Sequence, residues 1–278
     1  MFVLRLLLKN AFRHRLRTLL TLVGLLVAIC AFGFLRSVIE AWHAGVEASS
    51  STRLVTRSNI SLTFTLPRAY AQKLRAVDGV TQVSWANWFG GIYITERNFF
   101  PQFGVEPRSY LALYPEYLIP DEQKAAFFRD RQGAVAGRRL AEQFGWRIGD
   151  NIPLRGTIYP GTWNFTLRGI WDGANAKTDE SQLLFHWDAL NEFVRARRPS
   201  AADNVGVYIV GIADPNAAAE ISQRIDQSFK NSLAETLTET EAAFQLSFVS
   251  MSEALLLAID AVSFIIVLII MAARRSAA

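Results

Sequence analysis

The side chains able to do chemistry are few and far apart. Three histidines, His14, His43 and His186, are too scattered along the chain to suggest a metal site. His186 lies two residues from Asp188; on a strand the two would share one face, and a plain surface histidine is the simpler reading. Asp121-Glu122 could form a carboxylate pair. The two follow Pro120, however, and read as a helix start, where acids complement the positive end of the dipole. Asn59-Ile60-Ser61 and Asn164-Phe165-Thr166 match the N-glycosylation pattern, which is common by chance. The sequence has no G-x-x-x-x-G-K-[ST] loop to cradle phosphates, no G-x-S-x-G elbow and no H-E-x-x-H helix. It therefore assigns no catalytic, cofactor-binding or metal-ligating residue, and the chain reads as something other than an enzyme.

Two further groups of residues need a place. Cys30 is the only cysteine and sits in an apolar run, so the polar part of the chain can hold neither a disulfide nor a thiolate metal site. Trp85, Trp88, Phe89, Tyr93, Phe99, Phe100, Phe103, Tyr110, Tyr114 and Tyr117 crowd into 85–117. Aromatic rings serve cores and interfaces alike. Core packing is the preferred reading here, ahead of a contact surface for an apolar ligand or a partner.

The elements that must position these residues begin with two apolar runs. Residues 18–35 carry no charge, and 254–273 carry one, Asp260. A membrane-spanning helix needs about 20 apolar residues, and both runs qualify. Asp260 lies near the outer boundary of its run, where it reads as an interfacial residue or as a contact to another helix. Residues 1–17 hold Arg5, Lys9, Arg13, Arg15 and Arg17 without an acid, and the tail adds Arg274 and Arg275. Between 36 and 253 there remain 22 basic and 24 acidic residues, so the overall charge of +4 belongs to the membrane flanks and not to a nucleic-acid surface. Positive flanks lie on the cytoplasmic side of spans, which puts both termini in the cytoplasm and 36–253 outside. Within 1–17 the basic residues follow helical spacing, as in an amphipathic helix lying on an anionic lipid leaflet. A cleaved signal peptide is set aside because the first run is too long for one and lacks a small-x-small cleavage site.

Between the spans a strand–helix–strand grammar occurs twice. NISLTF (59–64) alternates as a strand does, PRAYAQKLRAV (67–77) reads as a helix with Tyr70, Leu74 and Val77 on one face, and VTQVSWANW (80–88) is a second strand. NVGVYIVGIA (204–213) is a strand, Asp214-Pro215 opens a helix with Ala218, Ile221, Ile225 and Phe229 on one face, and AFQLSFV (243–249) alternates again. Two such halves on one sheet predict a split βαβ, α+β domain. Residues 112–200 read as an inserted, β-rich subdomain: a mostly helical 121–146 interrupted at Gly133, then strands at 149–156 and 163–173.

This order of elements resembles the FtsX/MacB-like ABC transporter permeases, as do the stretches FFPQFGVEPRSYLALYPEYLIP (99–120), AVAGRRLAEQFGWRIGDNIPL (134–154) and IDQSFKNSLAETLTETEAAFQ (225–245). The resemblance implies a bacterial inner-membrane protein. Its parts would be a cytoplasmic amphipathic helix (1–17), a first span (18–35), a MacB-like periplasmic core domain (36–253), a second span (254–273) and a cytoplasmic tail (274–278). Within the core, 36–111 and 201–253 would form the α+β part and 112–200 the insert. The resemblance also implies a cytoplasmic ABC ATPase subunit as partner, a second permease copy in a dimer, contact with membrane lipid, and no nucleic acid. Gly137, Gly145, Gly149 and Asp150 would shape turns, and the residues from Ser250 onward would link domain and membrane. Such permeases have four spans, so the two seen here lead to the expectation of a truncated or frameshifted permease. The alternative is a two-span membrane-anchored binding or sensory module without transport activity.

Overall fold

The computed structural model describes residues 50–247 together with Cys30 and Gly33. Residues 45–245 form one compact unit; the described residues of the second unit, Cys30, Gly33, Leu246 and Ser247, are helical. Among the described residues no helix is long and apolar enough to cross a membrane. The amphipathic helix, the tail and both candidate spans, Cys30 and Gly33 apart, lie outside the described residues, as do His14, His43 and Asp260.

The compact unit is built on a mixed sheet. Its first half comprises β1 (Arg53–Ser58), β3 (Val80–Trp88), β12 (Val207–Ile212) and β13 (Thr236–Thr240), in the spatial order β13-β1-β12-β3. Every neighbouring pair in this half is antiparallel. β1 and β3 are therefore parallel to each other with β12 between them, and β12 and β13 are parallel with β1 between them. The helices α1 (Tyr70–Arg75) and α6 (Ala218–Ser228) make the two crossovers. This is the interlocked split βαβ arrangement that the repeated grammar predicts.

The outer strand of each repeat is displaced from its expected place. The first is Arg53–Ser58, not 59–64, which is an exposed loop carrying Ile60, Leu62 and Phe64. The strand RLVTRS is buried along most of its length between β12 and β13, so it shows no polar–apolar alternation. The last strand is Thr236–Thr240, whereas 241–247 is helical, which overturns the strand expected at 243–249 over its described part; 248 and 249 lie outside the described residues. Its threonines are buried without being apolar because Asp226 on α6 accepts hydrogen bonds from Thr236 Oγ1, Thr238 N and Thr238 Oγ1. Those bonds also occupy a backbone amide on an edge strand, where open amides invite foreign pairing. Pro67 is not in a helical turn as expected; it belongs to β2 (Leu66–Pro67), which pairs with β11 (Asn204–Val205).

The second half continues the same sheet. β5 (Gln102–Val105) pairs with β3 and β10 (Leu183–His186), and the order runs on through β7 (Gly133–Gly137), β9 (Gly161–Gly173), β8 (Asn151–Gly156) and β4 (Gly91–Tyr93). β6 (Tyr117–Leu118) pairs with β9 off this path. Gly133, expected to interrupt a helix, begins the strand GAVAG instead, flanked by α3 (Asp121–Arg129) and α4 (Arg138–Phe144). Small buried residues in a short run between two helical patterns give no period of their own. Gly169 marks the register shift between β7 and β9, as its break in the alternation of 163–173 suggests.

Register sorts the core into layers. Leu54, Val83, Trp85, Tyr208 and Val210 pack under α1 and α6 on one face of the first half. On the same face of the second half, Phe89, Phe165, Leu167 and Phe185 pack under α4 and α5 (Trp187–Arg197). The opposite face carries Val55, Ala86, Val105, Leu184 and Ile209 beneath α2 (Pro107–Leu113) and α3.

Candidate functional site

Of the described residues singled out for chemistry, the structure gathers none into a reactive group. His186 ends β10 and is buried, correcting the surface reading; its Nε2 lies 2.7 Å from the carbonyl of Phe127. Burial holds the imidazole below its ordinary pKa, against the Phe127 carbonyl and the more distant Asp188 and Asp130. Asp188 is exposed in the first turn of α5. Asp121 and Glu122 open α3, as the sequence suggests. Asn59 and Asn164 are exposed, the latter accepting a 3.3 Å bond from Asn151. Among the described residues no group of acids, histidines and cysteine could hold a metal. Gly145 (φ 68°) and Gly149 (φ 97°) hold left-handed turns, and Asp150 accepts from Arg147 N at 2.7 Å. Gly137 is needed for a different reason, the close approach of the Glu180 backbone.

The aromatic run is mostly core, as preferred. Tyr110, Tyr114, Tyr117 and Trp171 stack in one ladder, with successive centroids 4.5, 5.2 and 4.9 Å apart. Burial drives the three tyrosine pKa values upward, so their hydroxyls stay protonated. Trp88 and Phe99 are the exceptions, exposed with their rings 6.1 Å apart.

The ladder leads to a buried charge cluster that the sequence does not announce. Arg53, at the start of β1, is 5% exposed and Glu241, just past β13, is 6% exposed. The Arg53 guanidinium lies 4.1 Å from the Tyr114 ring centroid. Its Nε donates to Glu241 at 2.8 Å, its Nη1 to the Leu113 carbonyl at 2.9 Å, and Nη1 and Nη2 to the two Glu116 oxygens at 3.1 and 2.6 Å. Glu241 also accepts from Ser50 N at 3.1 Å and from Tyr114 Oη at 2.9 Å. Burial disfavours the charged guanidinium, but Glu241 and Glu116 outweigh it and hold the Arg53 pKa above its ordinary value.

This arrangement holds rather than reacts. Glu241 is buried and already accepts from three donors, and an arginine in a bidentate pair stays charged. What it joins is the informative part. Arg53 stands where the chain enters the sheet and Glu241 where it leaves. β1 and β13 are neighbours, with Leu54 opposite Thr240. The clamp therefore ties both chain connections to each other and, through Glu116 and Leu113, to the segment that follows β5.

The sequence model of the MacB-like periplasmic core domain family matches residues 18–228. In three dimensions the chain is similar to the periplasmic region of MacB from Actinobacillus actinomycetemcomitans, with a TM-score of 0.50 and 9% identity over 73% of this chain and 95% of that one. The extracellular domain of the noncanonic ABC-type transporter YknZ from Gram-positive bacteria gives a TM-score of 0.48 and 12% identity, over 68% of this chain and 98% of that one. A search of curated proteins finds no sequence match. The family match covers most of the chain and the split βαβ topology accords with it: the chain belongs to the MacB-like periplasmic core domain family, the periplasmic domain of FtsX/MacB-like ABC transporter permeases.

Proposed function

We propose that this chain is the permease subunit of an FtsX/MacB-like ABC transporter, in which ATP hydrolysis by a cytoplasmic partner moves the periplasmic domain for export or envelope work. The chain is not itself the enzyme. It lies in the bacterial inner membrane with both termini cytoplasmic, spans at 18–35 and 254–273, and the core domain at 36–253 outside. It works as a dimer with a second permease copy and sits among membrane lipids.

Family membership supports the assignment, and the Arg53–Glu241 clamp carries the mechanical part of it. A domain driven through its two chain connections must not fray at them. Terminal strands are ordinarily the first to open. Here the two connections are adjacent strands cross-linked by a buried ion pair, so a displacement of either is passed to the whole sheet. Affinity purification of the tagged full chain from its native membranes tests the reading. An ABC ATPase subunit should copurify and hydrolyse ATP. A preparation without any nucleotide-hydrolysing partner would favour a membrane-anchored binding module instead.

A further inference from the structure

A groove of about 260 Å³ opens between the two halves of the sheet, beside α5. Its floor is apolar: Trp187, Leu190 and Val194 are at most 8% exposed. Ile158 and Tyr159, from the turn joining β8 and β9, and Thr63 and Thr65, from the exposed loop 59–65, also line it. The volume falls just short of the roughly 300 Å³ at which sites for drug-sized ligands begin. The occupant must therefore be small.

Its charge follows from which polar groups are already engaged. Asn87 accepts from Trp187 Nε1 at 2.9 Å, and Asn191 exchanges two hydrogen bonds with Asp203 at 2.9 and 2.7 Å. Two arginines end α5 and a third, Arg198, caps it. Arg195 is held by Asp203 at 2.7 Å, and the Arg197 guanidinium lies 3.7 Å from the Phe193 ring centroid. Arg198 has neither an ion pair nor a hydrogen bond from its guanidinium among the described residues, and it lines the groove. It is the one charged residue in the lining, which contains no acid. Burial pushes the Tyr159 phenol up, opposed first by Asn87 and then by the Arg198 charge. An apolar floor with one unpaired cation at its rim is complementary to an apolar body ending in a single anionic group.

We propose that this groove binds a small aryl or acyl carboxylic acid, with its carboxylate on Arg198 and its apolar body against Trp187, Leu190 and Val194. The inference does not rest on the transport reading. The test uses the full chain in amphipol, with 4-phenylbutyrate as probe and its neutral amide as control, followed by calorimetry and by tryptophan fluorescence. The acid should bind about tenfold more tightly than the amide. Arg198→Gln should abolish that preference and leave amide binding unchanged; Arg198 is exposed, so the fold should tolerate the change. Thr65→Trp, also at an exposed position, should fill the groove and weaken both. Equal binding of acid and amide, no binding of either at millimolar concentration, or binding indifferent to both substitutions would each overturn the proposal.

Discussion

Glu241→Gln tests the clamp with a change of one charge and almost no volume. Removing one partner of a buried ion pair costs about 3–5 kcal/mol. Two features reduce that figure here. Glu116 stays on Nη1 and Nη2 of Arg53, so the guanidinium keeps a counter-charge, and glutamine keeps one oxygen able to accept from Arg53 Nε or Tyr114 Oη. The loss is then mainly the difference between charge-assisted and neutral hydrogen bonds, about 1 kcal/mol for each of the two side-chain donors, Arg53 Nε and Tyr114 Oη. A destabilisation of about 2 kcal/mol follows. Glu241→Ala, which leaves Arg53 Nε, Tyr114 Oη and Ser50 N all unmet, should cost about 3–4 kcal/mol. Glu116→Gln should cost about 1 kcal/mol, because that side chain is 22% exposed and water replaces part of the lost interaction. Urea unfolding of the full chain in amphipol, followed by tryptophan fluorescence, reads all three, since six of the seven tryptophans lie within 85–187. Hydrogen exchange then locates the damage: β1 and β13 should lose protection while β8 and β9 keep theirs. The reasoning is refuted if Glu241→Gln shifts stability by less than about 0.5 kcal/mol, the range of ordinary surface changes, or if protection falls evenly across the sheet.

Three other outcomes follow from the same structure. His186 is held neutral in the folded state by burial, whereas the unfolded chain protonates it near about pH 6.5. The unfolded state then binds more protons, so stability present above about pH 6.5 should fall as pH drops from that value through the lowered folded pKa, and His186→Gln should remove this part of the slope in urea midpoints taken between about pH 5 and 8. Gly137→Ala should cost at least about 3 kcal/mol in the same titration, the upper end for overpacking, because a Cβ there would stand 2.1 Å from the Glu180 carbonyl oxygen. By contrast Gly145→Ala, with nothing within 4 Å, should cost only the left-handed strain of about 1–2 kcal/mol. Asp226→Ala should cost about 1–3 kcal/mol and deprotect the Thr238 amide in hydrogen exchange, because one carboxylate serves three donors.

Where burial is one-sided, the sequence shows the element directly. The face Ala218, Ile221, Ile225 and Phe229 of α6 is legible because its other side meets water, and the strands 80–88 and 163–173 lie close to where their patterns put them. β1 is not legible, because a strand covered on both faces need not alternate. The true loop 59–64 does alternate, with Ile60, Leu62 and Phe64 set among polar residues, but all three are exposed. GAVAG disappears between two helices because alanine and glycine give a buried strand no contrast. The clamp could not be seen at all. Arg53 and Glu241 are 188 residues apart and each sits in an unremarkable polar stretch; they meet only because β13 crosses to the far side of β1. The nearest signal in the sequence is the aromatic run itself, whose tyrosines 110, 114 and 117 stack in the ladder that Arg53 meets at Tyr114.

In the proposed transporter, motion enters the periplasmic domain through β1 and β13 as one clamped pair. Hydrogen exchange of the full chain together with the ATPase subunit proposed as its partner, with and without ATP and vanadate, tests this most directly. The account predicts that nucleotide changes protection in residues 50–58 and 236–247 together, and that Glu241→Gln separates the two responses. Exchange in both segments that ignores nucleotide, while the ATPase turns over, would contradict it.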